Sequence, residues 1–174
     1  MSGRSASERF AEVVLPHLAD ALALARWLTG NASDAEDVVQ DACVKALAGL
    51  GGYAGGSARA WLLAIVRNAA FTWLARNRPR ELVLVADPAE IVPAADEPYA
   101  ESPEAALIEQ ADQAAIEAAI AALPHPFREI LVLRDINGLS YREISAMLAV
   151  PIGTVMSRLA RARGLLMTEL GRAP

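Results

Sequence analysis

LSYREISAMLAVPIGTVMSRLARAR, residues 139–163, decides the fold, because its pattern predicts two helices joined by a tight turn. Ser140 with Glu143 three positions later predicts a capping box at the start of the first helix. Pro151 ends that helix, because proline has no backbone N–H to continue it. The second helix has an apolar stripe formed by Val155, Leu159, Ala162 and Leu166. This pattern is typical of a helix-turn-helix, which lays its second helix in the major groove of DNA.

The opposite side of the second helix is small and polar, with Ser157 and Arg161 facing outward at about 100° per residue. Arg158 and Arg163 flank the apolar stripe, where their cations suit DNA phosphates. The alternative is an ordinary amphipathic helix whose arginines extend into water.

Composition and charge favour a helical protein and permit DNA binding. Of the 174 residues, 54% are hydrophobic and only 5% aromatic, which favours helices over strands. The net charge of −5 is unevenly distributed, with +1 over residues 1–79, −9 over residues 80–122 and +3 over residues 123–174. Because the distribution of charge decides whether a basic face exists, the acidic total does not exclude a DNA-binding protein.

Several classes of protein are disfavoured by what the sequence lacks. No apolar run reaches the roughly 18 residues of a membrane span, and the N-terminus has no signal-peptide pattern. We therefore expect a cytoplasmic chain without a membrane segment of its own. Cys43 is the single cysteine and there are two histidines, so the sequence predicts neither a disulfide nor a metal site. We find no phosphate loop and no nucleophile–base set, which predicts no cofactor, no catalytic residue and no enzymatic activity.

The middle of the chain reads as a linker between two domains. Pro88, Pro93, Pro98 and Pro103 recur every five residues among acidic side chains, which excludes regular helix and extends the chain. The prediction is an all-α fold with two small helical domains, residues 1–80 and 103–174, joined by an acidic proline-rich linker at 81–102. The second domain contains the helix-turn-helix. A plain tether without a function of its own remains an alternative for the linker.

Capping signals divide the first domain into helices. Gly30 predicts a helix C-cap, Ser33 with Glu36 predicts a capping box, and Ser57 predicts the N-cap of a long helix ending in a basic cluster. The second domain is expected to begin with a helix from about Pro103 to Ala122.

Two separated parts of the chain resemble one family. GNASDAEDVVQDACVKAL (30–47) and RAWLLAIVRNAAFTWLARNR (59–78) resemble the second conserved region of bacterial RNA polymerase sigma factors. LPHPFREILVLRDINGLSYREISAMLAVPIGTVMSRLARAR (123–163) resembles their fourth region. With only these two regions, the chain resembles the extracytoplasmic-function (ECF) class. The resemblance implies a factor that binds core RNA polymerase, directs it to a specific two-part promoter and helps open the DNA.

The resemblance also assigns roles to residues. It implies docking on the clamp helices of the large polymerase subunit by Asp34, Asp37, Gln40 and Asp41. It implies melting of the downstream promoter element by Arg59, Arg67, Asn68, Arg76 and Arg78. It implies contact with the upstream element by Thr154, Ser157, Arg158 and Arg161, with Arg163 beside them. Two features depart from relatives: Met156 stands where a basic residue is common, and the loop GGYAGGSA (51–58) carries no charge.

The implied partners are core polymerase, through its clamp helices and flap, promoter DNA and an anti-sigma factor. The acidic linker resembles the family's connector through the RNA exit path. Two rival functions remain. One is a conventional regulator that binds duplex DNA unaided, against which the acidic AEDVVQD segment argues. The other is a protein that sequesters a partner, against which the arginines of the last helix argue.

Overall fold

The computed structural model describes residues 3–83 and 112–172, and the chain divides into two compact units, residues 1–79 and 80–174. Within those described ranges every regular element is helical and no strand occurs, which confirms the predicted all-α fold. The predicted linker from residue 84 onward and the predicted start of the helix at Pro103 lie outside the described residues.

The first unit is built from four helices and two short 3₁₀ turns. These are α1 (Ala6–Val13), a 3₁₀ turn (Leu15–His17), α2 (Leu18–Thr29), α3 (Ala32–Gly49), a 3₁₀ turn (Leu50–Gly52) and α4 (Ala58–Asn77). A short helix, α5 (Pro79–Val83), follows. It includes residues 81–83, so the first three positions of the predicted linker are helical.

Caps define where these helices begin and end. Gly30 ends α2 in the left-handed region, at φ 84°, which glycine adopts without steric cost. The side chain of Asn31 accepts from the backbone N–H of Asp34 across 2.7 Å and caps α3. The predicted capping box at Ser33 and Glu36 is therefore wrong, because α3 begins two residues too early for it. Ser57 caps α4, as predicted.

The core of the first unit lies where α2, α3 and α4 pack together. Large side chains in it include Leu24, Leu28, Leu62, Leu63 and Leu74, all fully buried. Buried side chains, three of them alanines, line α3 at intervals of three or four residues (Ala35, Val38, Ala42 and Ala46). Small side chains let the backbone of α3 approach those of its neighbours. Because the buried residues lie on one side of α3, its other side faces solvent.

The second unit contains α6 (Gln113–Ala122), α7 (His125–Leu131), a π-helical turn (Val132–Ile136), α8 (Tyr141–Leu148) and α9 (Ile152–Arg172). The axes of α8 and α9 differ in direction by 101°, within the range of about 90–120° typical of a helix-turn-helix. Ala149, in the left-handed region at φ 55°, ends α8. No single helix in the described ranges is long and apolar enough to cross a membrane, and the bent pair α8–α9 meets that test by length and composition alone.

The predicted stripe of α9 is its buried side. Val155, Leu159 and Ala162 are fully buried, and Leu166 is 1% exposed. They pack α9 against α6, α7 and α8. The capping box of Ser140 and Glu143 is present in full. The helix-turn-helix therefore has its buried and exposed sides where the apolar spacing predicts them.

Candidate promoter and polymerase interface

The N-terminal half of α9 presents the predicted recognition face. Gly153 and Arg161 are exposed, and Thr154 and Ser157 are half-buried. The hydroxyl of Ser157 donates to the carbonyl of Thr154 across 3.1 Å, so it is turned along the helix. This bond leaves the hydroxyl oxygen free to accept, and a small polar surface of this kind can lie close to base edges.

Two arginines border that face in different ways. Arg161 is exposed, and its guanidinium lies 5.3 Å from the ring centroid of Phe127, a cation–π distance that orients the side chain. Arg158 is half-buried, and its Nε atom is buried without a hydrogen-bond partner among the described residues.

Arg163 differs from Arg158 and Arg161 because it is buried. Its side chain is only 8% exposed, and it forms a two-bond ion pair with Asp135 at 2.7 and 3.2 Å. The pair joins α9 to the π-helical turn. Burial raises the pKa of Asp135 to about 6, against an opposing effect of Arg134, and burial lowers the pKa of Arg163. Buried and paired, Arg163 serves as a structural cation within the second unit. Its contact with DNA stays a prediction.

The cations predicted on α4 are not gathered on one side. Arg59 donates through Nε to Asp20 across 2.8 Å and so ties α4 to α2. Arg67 lies 4.0 Å above the ring of Phe71, next to the exposed Asn68. Arg76, exposed, is nine positions beyond Arg67 and therefore about 180° around the helix. The structure brings only Arg67 and Asn68 together.

Arg78 and Asp34, predicted for two different partners, bind each other. The guanidinium of Arg78 donates to the Thr29 carbonyl across 2.6 Å and to Asp34 across 3.1 Å, and it lies 5.2 Å from the ring of Trp73. Asn31 also donates to the Asp34 carboxylate. This network holds the end of α4 against the α2–α3 junction. The contact of Arg78 with DNA and the docking role of Asp34 stay predictions.

The exposed side of α3 holds the rest of the predicted docking set. Asp37, Gln40 and Asp41 are all exposed, and Asp41 pairs with Lys45 across 2.8 Å. Their spacing of three and four residues places them on one face. This face retains two carboxylates and an amide that are accessible to a partner helix.

The exposed face of α3 also has an apolar part, which the sequence analysis did not predict. Val44 is 68% exposed and Leu47 is 50% exposed. Val44 lies three residues beyond Asp41 and four beyond Gln40, so it shares their face. A signal was present in the sequence, since an apolar residue at that spacing in an acidic stripe is out of place on a purely solvated surface. An interface that combines charge with an apolar contact is typical of protein partners.

Comparison with known proteins agrees with this division into two units. Residues 13–80 match the family described as Sigma-70 region 2, and residues 113–166 match the family described as Sigma-70, region 4. The ECF RNA polymerase sigma factor SigE of Mycolicibacterium smegmatis is 34% identical over 161 residues, which cover 92% of this chain. The RNA polymerase sigma-H factor of Pseudomonas aeruginosa is 35% identical over 167 residues, which cover 92% of this chain and 85% of that relative.

The chain belongs to the ECF class of RNA polymerase sigma factors. It spans 61% of the length of the Mycolicibacterium relative. Among solved structures, the sigma factor RpoE of Bartonella quintana, in complex with the anti-sigma factor NepR, is similar with a TM-score of 0.70 and 27% identity. That similarity covers 95% of this chain and 98% of RpoE. The predicted ECF class is thus confirmed by both sequence and fold.

Proposed function

We propose that this ECF chain binds core RNA polymerase, directs it to a two-part promoter and helps open the DNA. The observation that carries the proposal is the presence of both sigma regions in one chain, the second ending in a helix-turn-helix with its small polar face exposed. It acts as an initiation factor in the cytoplasm, without catalysis of its own and without a cofactor.

The recognition step is assigned to α9. Thr154 and Ser157 would lie against the bases of the upstream element, with Arg161 and Arg158 on its edges. A phosphate contact fixes the position of a helix in the groove, while base-edge contacts select the sequence. Met156, half-buried, adds no charge here, so fewer phosphates are neutralised than in relatives with a basic residue at that position.

The opening step is assigned to α4 and the glycine loop before it. Arg67 and Asn68 form the side of α4 that would meet unpaired bases, and Arg76 would meet the backbone. Single strands are bound by stacking surfaces together with cations along the backbone. Residues 1–80 would therefore act as the melting domain and residues 103–174 as the upstream reader, joined by the acidic linker.

The docking step is assigned to the exposed side of α3. Asp37, Gln40 and Asp41 would pair with cations on the clamp helices, and Val44 would add an apolar contact. The flap would bind the second unit. An anti-sigma factor is proposed as a further partner, because the similar structure of RpoE holds one.

A run-off transcription assay with purified core polymerase tests the proposal. The full chain, core polymerase and a library of promoter fragments should give transcripts that are absent without the chain. A chain that yields no promoter-dependent transcript, yet binds duplex DNA alone as a dimer, would be a conventional regulator. That result would contradict the proposed function.

A further inference from the structure

The loop before α4 is tied to the N-terminal helix by one side chain. A guanidinium N–H of Arg9, on α1, donates to the backbone carbonyl of Tyr53 across 3.0 Å, over a separation of 44 residues. α1 starts at a complete capping box of Ser5 and Glu8, which stabilises the helix that carries Arg9. The contact therefore links a defined helix to the loop and does not close a local turn.

Tyr53 makes two further contacts that hold the loop. Its hydroxyl donates to the carbonyl of Gly56 across 2.9 Å. Its ring lies 5.1 Å from the ring of Trp61, tilted by 46°, and so contacts the first turn of α4. Carbonyl, hydroxyl and ring of one residue thus anchor the loop to α1, to itself and to α4.

The rest of the loop is open backbone. A Cβ atom at Gly51, Gly52, Gly55 or Gly56 would meet nothing within 4 Å. Gly55 and Gly56 lie in the left-handed region, at φ 100° and 83°. Glycine has the largest conformational entropy to lose on ordering, and the loop carries no charged side chain. Its shape consequently depends on the contacts made by Tyr53.

We infer that Arg9 is a positioning residue for promoter opening, which holds residues 51–57 in the conformation that receives an unpaired base. The inference rests on the proposed function, in which this loop and α4 capture single-stranded promoter DNA. Arg9 acts through the carbonyl of Tyr53 by reducing the number of loop conformations. Its loss should slow opening of the DNA while leaving core binding and upstream recognition unchanged.

The test compares Arg9→Ala with the full wild-type chain in complex with core polymerase. The probe is a promoter fragment that the wild-type complex selects from a randomised library. Opening is followed by the permanganate reactivity of unpaired thymines, core binding by titration and upstream contact by footprinting. We expect opening to slow about three- to tenfold, the effect of losing one solvent-exposed hydrogen bond of ordinary net strength. Arg9→Lys, which keeps a donor, should restore most of the rate.

Two matched variants make the result specific. Arg4→Ala removes the same charge near the same helix, where Arg4 pairs with Glu12, and should open at the wild-type rate. Tyr53→Phe removes the hydroxyl bond to Gly56 and keeps the ring and the carbonyl, so it should slow the same step.

Three outcomes would overturn the inference: Arg9→Ala opening at the wild-type rate, Arg4→Ala slowing opening equally, or Arg9→Ala losing core affinity together with opening. Failure of the wild-type complex to open any selected promoter would instead contradict the proposed function, so the two failures are distinguishable.

Discussion

Replacing Arg163 by methionine should destabilise the second unit. DNA recognition by the unit that remains folded should not change. The substitution keeps the aliphatic bulk and removes the cation that pairs with Asp135 across 2.7 Å. Removing one partner of a buried pair typically costs 3–5 kcal/mol. The side chain of Asp135 is 37% exposed, so water can partly replace the lost cation. We therefore expect a smaller loss, about 2–3 kcal/mol of unfolding free energy at pH 8.

The loss should depend on pH, because Asp135 has a raised pKa of about 6 in the native chain. A carboxyl whose folded pKa exceeds its unfolded value lowers stability as pH rises through that window. In the wild-type chain this decrease in stability is complete near pH 6, the folded pKa of Asp135. Without Arg163 the folded pKa of Asp135 rises further, so stability goes on falling to a higher pH. The difference between variant and wild type should therefore be larger at pH 8 than at pH 5.

The assay is urea unfolding followed by circular dichroism at the two pH values. All three tryptophans, Trp27, Trp61 and Trp73, lie in the first unit, so tryptophan fluorescence serves as an internal control and should not change. The double variant Arg163→Met with Asp135→Asn should recover much of the stability, since neither charge is left unpaired. Unchanged stability together with weakened promoter binding would refute the structural role of Arg163 and indicate that it contacts DNA.

Three further predictions concern the exposed face of α3, the contacts of Arg78 and the exposed face of α9. Asp37→Arg with Asp41→Arg should weaken binding to core polymerase in a titration by roughly a hundredfold or more, since like charges across an interface cost several kcal/mol. Arg78→Ala should lower the unfolding free energy of the first unit by about 1–3 kcal/mol, measured by tryptophan fluorescence in urea, because it removes one donor from the buried Thr29 carbonyl and one from the Asp34 carboxylate. Arg161→Ala should reduce the slope of log affinity against log salt for upstream-element DNA by about 1, with unfolding unchanged.

Each of these three has a control and a contradicting result. Glu12→Arg reverses an exposed charge on α1 and should leave core affinity intact; equal weakening would mean that total charge matters more than the α3 face. Arg78→Lys should recover part of the stability, and a wild-type midpoint for Arg78→Ala would contradict the network. A salt slope that Arg161→Ala leaves unchanged would remove Arg161 from the phosphate contacts.

The helix-turn-helix was predictable because its signals lie within a few residues of each other. Ser140 and Glu143 are three positions apart, and the stripe from Val155 to Leu166 follows from helical periodicity alone. Competition between neighbouring caps was not predictable. Asn31 and Ser33 are both good N-cap residues, and the end of α2 at Thr29, a feature of the packed unit, selects the earlier one.

The partners of the arginines were the main feature that the sequence could not provide. Helical periodicity places Arg163 beside the apolar stripe, but its partner Asp135 lies 28 residues earlier. Arg78 and Asp34 are 44 residues apart. Residue type therefore predicted where positive charge occurs along the chain, and tertiary packing determined which of it remains available. The loop anchor from Arg9 to Tyr53 escaped prediction for the same reason.

The pairing of arginines with carboxylates inside the chain gives a reason why it would need the polymerase in order to bind DNA. In the part of the chain that the structure describes, carboxylates pair with at least three of the seven arginines predicted to contact DNA. These pairs are Arg59 with Asp20, Arg78 with Asp34 and Arg163 with Asp135. Each phosphate neutralised contributes about 0.9 to the slope of log affinity against log salt. With three arginines already paired, fewer cations are left for phosphates, so the free chain would bind DNA considerably more weakly. Two weak sites on one tether gain strength only when both can engage the same DNA. In the proposed function, core polymerase would supply that arrangement, while α9 and α4 would select the promoter sequence.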